Sequence, residues 1–517
     1  ARIGTVSFWV KKAGQGVDGG LFTAEVAGGT NNTHISFTNG DLIQIQEVDP
    51  GPSSIFASYP GSSIDWRDPS AWMHICISWD TTTTLSTGRI IYTINGQQIG
   101  ATGSQPAEDR DLQFLENGVP QLIGRIDVGS GDKFFDGYLS EYICLDGTAS
   151  AAYNFAEENS DGVWVPKDPT DIVTAKKGTN GFWLDFADSS DLGNDVSYSG
   201  LGVGTDNSFT ANNMAAANFT NDRPADSGST IGNYYTLNPL DSSGAISNGN
   251  LKNDGGNSTS THAPGIPLTG KWYWEIVCTD INTGTTGAHW FGVCAADITF
   301  DANFATHAAI SAGTERGGQL QKNNSNTSSG TAINDGNIVG LAYDADNLTL
   351  DILVDNSSSG SQITSMTAVQ YKPWITDGAA PTNMTVEFGQ NGFNYTPPTG
   401  YKALSTANFP APSITKPSDH FLPILYEGDG GGQRVGNFIP FTDAYAVDNS
   451  CVFVSGDNDY LSKTFSGAGN NKVGSISFWV KRGNLGTAQQ IFHANSGSGS
   501  SQILFNSSDQ LYYRLED

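Results

Sequence analysis

The sequence predicts an all-β protein built from tandem antiparallel β-sandwiches. Short runs of β-branched and aromatic residues recur along the chain between turn-forming residues, which is typical of strands. Gly accounts for 62 of the 517 residues, so turns are frequent. The 3.6-residue periodicity of long amphipathic helices is missing between the runs. Many short strands without intervening helices form sheets that pack face to face.

The first domain is expected at residues 1–192. Its predicted strands cover residues 4–10, 72–80, 89–94 and 138–145. Asn95-Gly96 directly follows the third of these runs. This dipeptide favours a type I′ hairpin turn, because both central residues of that turn need a positive φ.

A connector and a second all-β domain follow. Residues 193–240 form the connector, because hydrophobic periodicity fades there into Asn, Ser, Gly and Asp. The second domain is expected at residues 241–405, with predicted strands at 270–276, 290–293, 338–343, 348–354 and 384–388. Repeated prolines then mark residues 406–437 as a stiff Pro- and Gly-rich linker.

An internal repeat relates the two ends of the chain. Residues 3–12 read IGTVSFWVKK and residues 473–482 read VGSISFWVKR, with six of ten positions identical at an offset of 470. Residues 438–517 are therefore expected to be the first part of a second copy of the first domain. That copy has an opening strand that the first lacks. Either the chain is an excerpt of a longer polypeptide, or residues 438–472 of one molecule complete another by edge-strand addition.

The charge balance excludes one class of partner. The chain has 25 Lys and Arg against 53 Asp and Glu, a net charge of −28, and no basic stripe. Phosphate contacts need Lys and Arg, so no nucleic-acid partner is expected. No run of 18 apolar residues and no signal peptide are found, so no membrane insertion is expected.

The cysteines are expected to be packing residues. Cys76, Cys144, Cys278, Cys294 and Cys451 are widely spaced and form no CxxC pair, which argues against a zinc or disulfide framework. Reduced, buried thiols are the main expectation. A bridge between Cys278 and Cys294 on neighbouring strands is the alternative.

Five motifs of the first domain occur in a characteristic order. They are Ser7-Phe8-Trp9-Val10-Lys11, Trp72-Met73-His74, a strand ending in Asn95-Gly96, Leu122-Ile123-Gly124-Arg125, and Phe135-Asp136-Gly137-Tyr138-Leu139. In order and spacing they resemble the concanavalin A-like jelly roll of the laminin G type. The resemblance implies a laminin G-like jelly roll at 1–192 and the start of a second one at 438–517.

The second domain resembles a SPRY domain, a compact β-sandwich for partner recognition. Its motifs are Gly270-Lys271-Trp272-Tyr273-Trp274-Glu275, Phe291-Gly292-Val293, the run at 336–344, and Phe388-Gly389-Gln390. One departure is Asp355-Asn356 where the family often has Asn-Gly, which leaves the turn type at that position open.

The alternation of laminin G-like and SPRY-like modules is similar to large virion proteins of marine bacteriophages. The resemblance implies a non-enzymatic structural and adhesive role in a virion appendage such as a tail fibre, located in the virion or outside the cell. The implied partners are a host-surface glycan or protein and other virion proteins, with assembly as a homo-oligomer. The alternative is a filament or scaffold subunit that polymerises by strand complementation.

Motifs for catalysis are not found in the sequence. Jelly-roll glucanases carry Glu-x-Asp-x-x-Glu on one strand, which places paired carboxylates on one face, and this spacing does not occur. HExxH, Gly-x-Ser-x-Gly and P-loop motifs are also missing. No catalytic or cofactor-binding residue is predicted, and a glycan-cleaving enzyme is the weaker alternative function.

Calcium is the cofactor to consider, because jelly-roll lectins and laminin G modules use loop carboxylates as ligands. The candidate ligands are Asp127, Asp132 and Asp136. A second acidic cluster comprises Asp185, Asp188 and Asp191. The alternative is that these residues form turns through their side-chain hydrogen bonds.

Aromatic side chains in loops are the candidate ligand contacts, since the apolar face of a sugar stacks on an aromatic ring. Trp66, Trp374 and Tyr401 are predicted to be such platforms. Trp164 is a weaker candidate, because burial against the first domain would remove it. Trp272, Trp274 and Trp290 fall within predicted strands and are expected in the core.

Overall fold

The structure is a computed structural model. It describes residues 1–26, 31–48, 54–61, 68–127, 131–159, 162–225, 230–255, 259–281, 289–298, 308–377, 383–410, 459–464, 476, 487–495, 500–508 and 510–516. In this part of the chain the two sandwiches belong to one compact unit and the C-terminal strands to a second. No helix within these ranges is long and apolar enough to cross a membrane.

The first sandwich consists, in the described residues, of two antiparallel sheets with six strands each. Its strands are β1 (Ile3–Lys12), β2 (Gly19–Val26), β3 (Asn31–Phe37), β4 (Ile43–Val48), β5 (Ser54–Pro60), β6 (Met73–Asp80), β7 (Ile90–Ile94), β8 (Gln97–Ile99), β9 (Ala101–Gly103), β10 (Gln121–Ile123), β11 (Arg125–Asp127), β12 (Asp132–Phe134), β13 (Gly137–Asp146), β14 (Ala156–Glu158), β15 (Trp164–Pro166) and β16 (Phe182–Leu184). Sheet 1 has the order β16-β13-β1-β6-β7-β8 and sheet 2 the order β10-β2-β3-β4-β5-β9. The hairpins β11–β12 and β14–β15 form separate two-stranded sheets.

Short helices are few in this region. Helix α1 spans Thr170–Lys176 and α2 spans Val196–Ser199, and 3₁₀ turns cover Ser86–Gly88, Ala152–Asn154 and Ala216–Asn218. The side chain of Asp195 caps α2 by accepting a hydrogen bond from the Ser197 N–H.

The central strand β1 is buried on both faces, which explains its continuous apolar sequence. Its inner face, with Val6, Phe8 and Val10, packs into the core between the sheets. A second cluster covers the outer face of sheet 1, where Ile143 and Leu145 pack against the segment that carries α1. The strands predicted at 4–10, 72–80, 89–94 and 138–145 are confirmed as β1, β6, β7 and β13.

The predicted hairpin between β7 and β8 is also confirmed. Asn95 and Gly96 have φ angles of 46° and 79°, as a type I′ turn requires. A Cβ on Gly96 would lie 2.8 Å from the Trp164 ring. The glycine therefore also leaves space for the indole to pack against the turn.

The second sandwich has two sheets in the described residues. Its strands are β17 (Ala245–Ser247), β18 (Lys252–Gly255), β19 (Thr259–His262), β20 (Lys271–Asp280), β21 (Trp290–Ala295), β22 (Ser311–Glu315), β23 (Gln319–Lys322), β24 (Ser325–Ser329), β25 (Ile338–Asp344), β26 (Thr349–Val354), β27 (Ser357–Ser358), β28 (Tyr371–Asp377), β29 (Asn383–Glu387) and β30 (Lys402–Ala403). Sheet 3 has the order β17-β18-β29-β20-β25-β26-β27, and β30 pairs with β20 in parallel. Sheet 4 has the order β19-β28-β21-β22-β23-β24, and 3₁₀ turns cover Pro239–Asp241, Ala308–Ile310 and Thr406–Asn408.

The expected core tryptophans and free thiols are confirmed, and the open turn type is resolved. Trp272, Trp274 and Trp290 are at most 2% exposed. The turn left open at Asp355-Asn356 has φ angles of 48° and 61°, so it takes the type I′ form between β26 and β27. The four cysteines in the described residues, Cys76, Cys144, Cys278 and Cys294, are buried free thiols, so the alternative bridge between the last two is not formed.

The C-terminal unit repeats part of sheet 2. Strands β31 (Gln489–Asn495), β32 (Ser500–Phe505) and β33 (Leu511–Glu516) form an antiparallel sheet like β2, β3 and β4. The β2–β3 register shifts between Gly20 and Phe22, and the β31–β32 register shifts between Gln490 and Phe492, again at an offset of 470. The repeat therefore preserves a β-bulge as well as a sequence. Of the expected opening segment at 438–472, residues 459–464 are described and have no regular secondary structure, and the rest lies outside the described residues, as do residues 473–475 and 477–482.

Candidate functional site

A cleft of 1180 Å³ lies between the first sandwich and residues 206–223, a segment that we call the strap. The sandwich contributes residues from β10 to the start of β13 and from the end of β16. Typical small-molecule pockets measure about 300–1,000 Å³. The cleft is therefore slightly larger than a typical small-molecule pocket.

Aromatic rings line both sides of the cleft. Phe134, at the end of β12, is 64% exposed, and Phe135 beside it is half-buried. Phe186 lies just after β16, and Phe219 belongs to the strap. An exposed ring beside half-buried ones offers a flat apolar surface, which is typical of ligand sites that combine aromatic walls with a few polar groups.

The charged groups of the cleft are mostly acidic. Besides the aromatic rings it is lined by Glu116, Asp132, Asp185, Asp206, Asp222, Arg125 and Arg223. Arg125 pairs with Asp132 at 2.6 Å, and the Arg223 guanidinium lies 5.5 Å from the centre of the Phe219 ring. Carboxylates therefore outnumber cations along the walls.

A buried ion pair holds the N-terminal side of the strap. Lys177 and Asp195 are at most 1% exposed and lie 2.9 Å apart. The Lys177 ammonium also donates to the Thr205 carbonyl at 2.7 Å, directly before the strap. Within the strap, Asn207 Nδ2 donates to the Gly181 carbonyl at 2.7 Å. These bonds fix the strap against β16.

A second buried ion pair holds the C-terminal side. Lys11, on β1, is fully buried and lies 2.8 Å from Asp222 Oδ2. Trp72 Nε1 donates to Asp222 Oδ1 at 2.8 Å. Lys11 also donates to Asn233 Oδ1 and to the Tyr234 carbonyl, at 2.8 and 2.7 Å. The same network thus attaches both the strap and the chain leading into the second sandwich to sheet 1.

Unusual backbone conformations cluster at the cleft. Leu115 and Phe186 have φ angles of 58° and 55°, and both line it. Glu141, next to the lining residue Ser140, has a φ of 48°. Positive φ is rare for such residue types, and strained residues concentrate at functional sites, where surrounding structure holds them in place.

Glu141 owes its conformation to a β-bulge. Ser7 pairs with Ile143 and Trp9 with Ser140, so two residues of β13 oppose Phe8 alone. Trp183 Nε1 donates to Glu141 Oε2 at 2.8 Å. Burial raises the pKa of Glu141 to about 7, with a smaller contribution in the same direction from Asp185.

Two of the three predicted calcium ligands have other interactions in the described residues. Asp132 is engaged with Arg125, and burial raises the pKa of Asp136, whose carboxyl lies by the backbone of Gly249. Asp127 lies opposite Asp132 in the β11–β12 register, but its side chain is outside the described residues. No group of three His, Cys, Asp or Glu side chains suited to a metal occurs among the described residues.

The second acidic cluster forms turns in the structure. Asp185 Oδ1 accepts from the Ala187 N–H, and Asp188 Oδ1 accepts from the Ser190 N–H and hydroxyl, at 2.6 to 3.0 Å. The Asp191 N–H donates to the Asp188 carbonyl at 3.1 Å. The alternative interpretation as turn formers therefore accounts for this cluster, although Asp185 also lines the cleft.

Two of the predicted aromatic platforms, Trp374 and Tyr401, are not among the residues that line this cleft. Trp374 is fully buried and donates to Ser260 Oγ, so it presents no ring face to a ligand. Tyr401 is half-buried, with the Lys271 ammonium 5.6 Å from its ring centre. Trp164 packs against the outer face of sheet 1 and donates to His74 Nδ1. Trp66 lies outside the described residues.

One constellation was not anticipated from sequence motifs. In the second sandwich, Ser260 Oγ lies 3.5 Å from His262 Nε2, and His262 Nδ1 lies 3.0 Å from Asp241 Oδ1. The order of groups matches a catalytic triad. However, Ser260 and His262 are 4% and 0% exposed, and Trp374 Nε1 donates to the serine oxygen. The constellation is therefore a buried hydrogen-bond network.

The sequence does not predict the cleft, because most of its aromatic side chains are phenylalanines. The predicted sugar platforms are Trp and Tyr residues outside this cleft or outside the described residues, whereas Phe134, Phe186 and Phe219 provide rings here. The available signal was the recurrence of Phe next to Asp, Asn or Lys in loops, as in Lys133-Phe134 and Asn218-Phe219.

Comparison with known proteins supports the assignment of the first sandwich. Residues 2–152 match the model of a laminin G family described as the concanavalin A-like lectin/glucanases superfamily. The expected concanavalin A-like jelly roll is thereby confirmed for this part of the chain. No curated protein sequence matches the chain significantly.

Several solved structures show a partial likeness. The SPRY domain of human HERC1 has a TM-score of 0.25 at 14% identity, over 29% of this chain and 96% of that chain. The TRIM65 PSpry domain has a TM-score of 0.24 at 12% identity, over 30% and 91%. A heptameric SAP-like pentraxin from Limulus polyphemus has a TM-score of 0.21 at 18% identity, over 29% and 66%. At TM-scores below 0.5 these likenesses carry no argument about function.

Proposed function

We propose that this chain is a non-enzymatic adhesive module of a virion appendage, such as a tail fibre, whose cleft binds a saccharide on a host cell. The composite cleft carries this proposal. It joins an exposed phenylalanine, polar side chains and strained backbone in one cavity, and two buried ion pairs fix its walls. Preorganised walls reduce the entropy lost on binding.

Binding rather than catalysis is supported by how the reactive groups are engaged. The carboxyl of Glu141 accepts a hydrogen bond from Trp183, and the Ser260 hydroxyl lies under Trp374. A glycosidase needs two carboxyl groups that face the scissile bond from opposite sides. Neither constellation offers such a pair to a ligand in the cleft.

The appendage role is supported by the tandem construction. A 470-residue repeat that preserves a β-bulge indicates that one structural unit recurs. Weak sites repeated along an array, or in a homo-oligomer, gain avidity without any one of them being strong. We therefore propose that other virion proteins and copies of this chain are its assembly partners.

A glycan array probed with the whole chain tests the binding proposal. We expect signal for a subset of saccharides and its loss in Phe134→Ala. The matched control is Leu85→Ala, which removes another exposed apolar side chain, 71% exposed and not among the lining residues. Equal loss in both variants, or no saccharide signal at all, would refute the proposal. The virion role fails if peptides of this chain do not co-sediment with purified particles.

A further inference from the structure

We propose that the cleft selects uncharged or amino-bearing saccharides and rejects acidic ones. This inference rests on the proposed function, since it specifies the ligand class of the same cleft. It follows from the charges along the walls and from the way in which the arginines are used.

Three carboxylates of the cleft form no salt bridge with Lys or Arg among the described residues. Among the described residues, no Lys or Arg nitrogen lies within 4 Å of Glu116, Asp185 or Asp206. Asp185 and Asp206 each accept a neighbouring backbone N–H, which keeps the carboxylates in fixed positions. Hydrogen bonds from the Ser208 side chain and N–H lower the pKa of Asp206, so it is charged at neutral pH.

The arginines do not offset this charge fully. Arg125 is shared between Asp132 at 2.6 Å and Glu25 at 3.6 Å, so its guanidinium is already neutralised. Arg223 lies against the Phe219 ring, and its charge partly offsets the rise in the pKa of Glu141 that burial causes. It is the single cation of the described lining that could receive an acidic sugar, and three carboxylates oppose it.

A cleft lined by charge of one sign attracts ligands of the opposite sign and repels those of the same sign. A uronic or sialic acid would bring its carboxylate among Glu116, Asp185 and Asp206. Hydroxyl and amine groups can instead donate hydrogen bonds to these oxygens, while the sugar ring lies on Phe134. The combination of an exposed ring and carboxylates without a salt bridge therefore fits a neutral or amino saccharide.

The experiment measures binding of the whole chain to matched tetrasaccharides and to a printed array. The tetrasaccharides are built from N-acetylglucosamine, glucosamine or galacturonic acid, and the array contains neutral, amino and acidic glycans. Array hits should be neutral or amino glycans, and Phe134→Ala should weaken them by about tenfold. Acidic glycans should bind on the order of tenfold or more weakly, with the difference shrinking as salt is added.

Charge variants separate this inference from the proposed function. Combining Glu116→Gln, Asp185→Asn and Asp206→Asn should abolish discrimination against acidic glycans, whereas Glu157→Gln, an exposed carboxylate outside the cleft, should not. Acidic hits that Phe134→Ala and Arg223→Gln both remove would overturn the ligand class and leave saccharide binding intact. If no array signal depends on Phe134, both the ligand class and the proposed saccharide binding are overturned.

Discussion

Replacement of Lys11 by Met should be among the most damaging single changes in the described part of the chain. Lys11 is fully buried and donates to Asp222 Oδ2, Asn233 Oδ1 and the Tyr234 carbonyl at 2.7 to 2.8 Å. Met fills similar space without the charge. The substitution leaves the Asp222 carboxylate, which is also fully buried, without its cation.

The magnitude follows from the burial of the pair. Removing one partner of a buried ion pair costs about 3–5 kcal/mol, because the remaining charge stays desolvated. Trp72 Nε1 continues to donate to Asp222 Oδ1, so we expect a loss at the lower end, about 3 kcal/mol. The double variant Lys11→Met/Asp222→Leu removes the stranded charge and should recover most of that loss, since an apolar pair of similar volume often replaces a buried ion pair without cost.

Urea unfolding of the whole chain, followed by tryptophan fluorescence and circular dichroism, measures these differences. The control is Lys167→Met. Lys167 is 42% exposed and lies 3.9 Å from Glu157, so its loss should cost about 0–1 kcal/mol. The reasoning is refuted if Lys11→Met costs no more than Lys167→Met, or if the double variant is no more stable than the single one.

Three further outcomes are expected. Burial raises the pKa of Glu141 from 4.5 to about 7. Between these values the folded state holds a proton that the unfolded chain releases. The resulting contribution to stability is therefore full below about pH 4.5 and is lost as pH rises through about 7. Glu141→Gln should flatten this decline in urea titrations at pH 4.5 and 7. A calcium chelator should leave Tm unchanged while Asp132 remains paired with Arg125, and a drop in Tm would reveal a bound cation. A fluorophosphonate probe should not label Ser260 in the folded protein, because Trp374 covers its hydroxyl.

The strands could be predicted because their signals are local. The apolar run of β1 and the Asn95-Gly96 turn after β7 each constrain the backbone within a few residues. The same holds for the type I′ turn at Asp355-Asn356, where two residues that tolerate positive φ replace the expected Asn-Gly. Such features need no knowledge of the rest of the chain.

The cleft could not be predicted because it depends on long-range pairing. The sequence of the strap is that of a polar connector. Its position is set by two ion pairs, Lys177 with Asp195 and Lys11 with Asp222, and the second pair is 211 residues apart in sequence. Nothing near Lys11 in the sequence indicates that its ammonium enters the interior. Sequence patterns therefore located the sandwiches and left the wall of the binding cavity as an apparent linker.

Gly20 allows a close approach between β2 and the residues that line the cleft. Gly20 lies at the β2 bulge, where an added Cβ would come within 2.3 Å of the Arg125 carbonyl carbon, next to the cleft. The second copy has Gln490 at this position. Gly20→Gln should therefore displace β11, destabilise the first sandwich by about 1–3 kcal/mol or more, and weaken binding in the cleft. Gly100→Gln is the control, because a Cβ there meets nothing within 4 Å. Wild-type stability and glycan binding in Gly20→Gln would refute the argument that β11 needs this close approach.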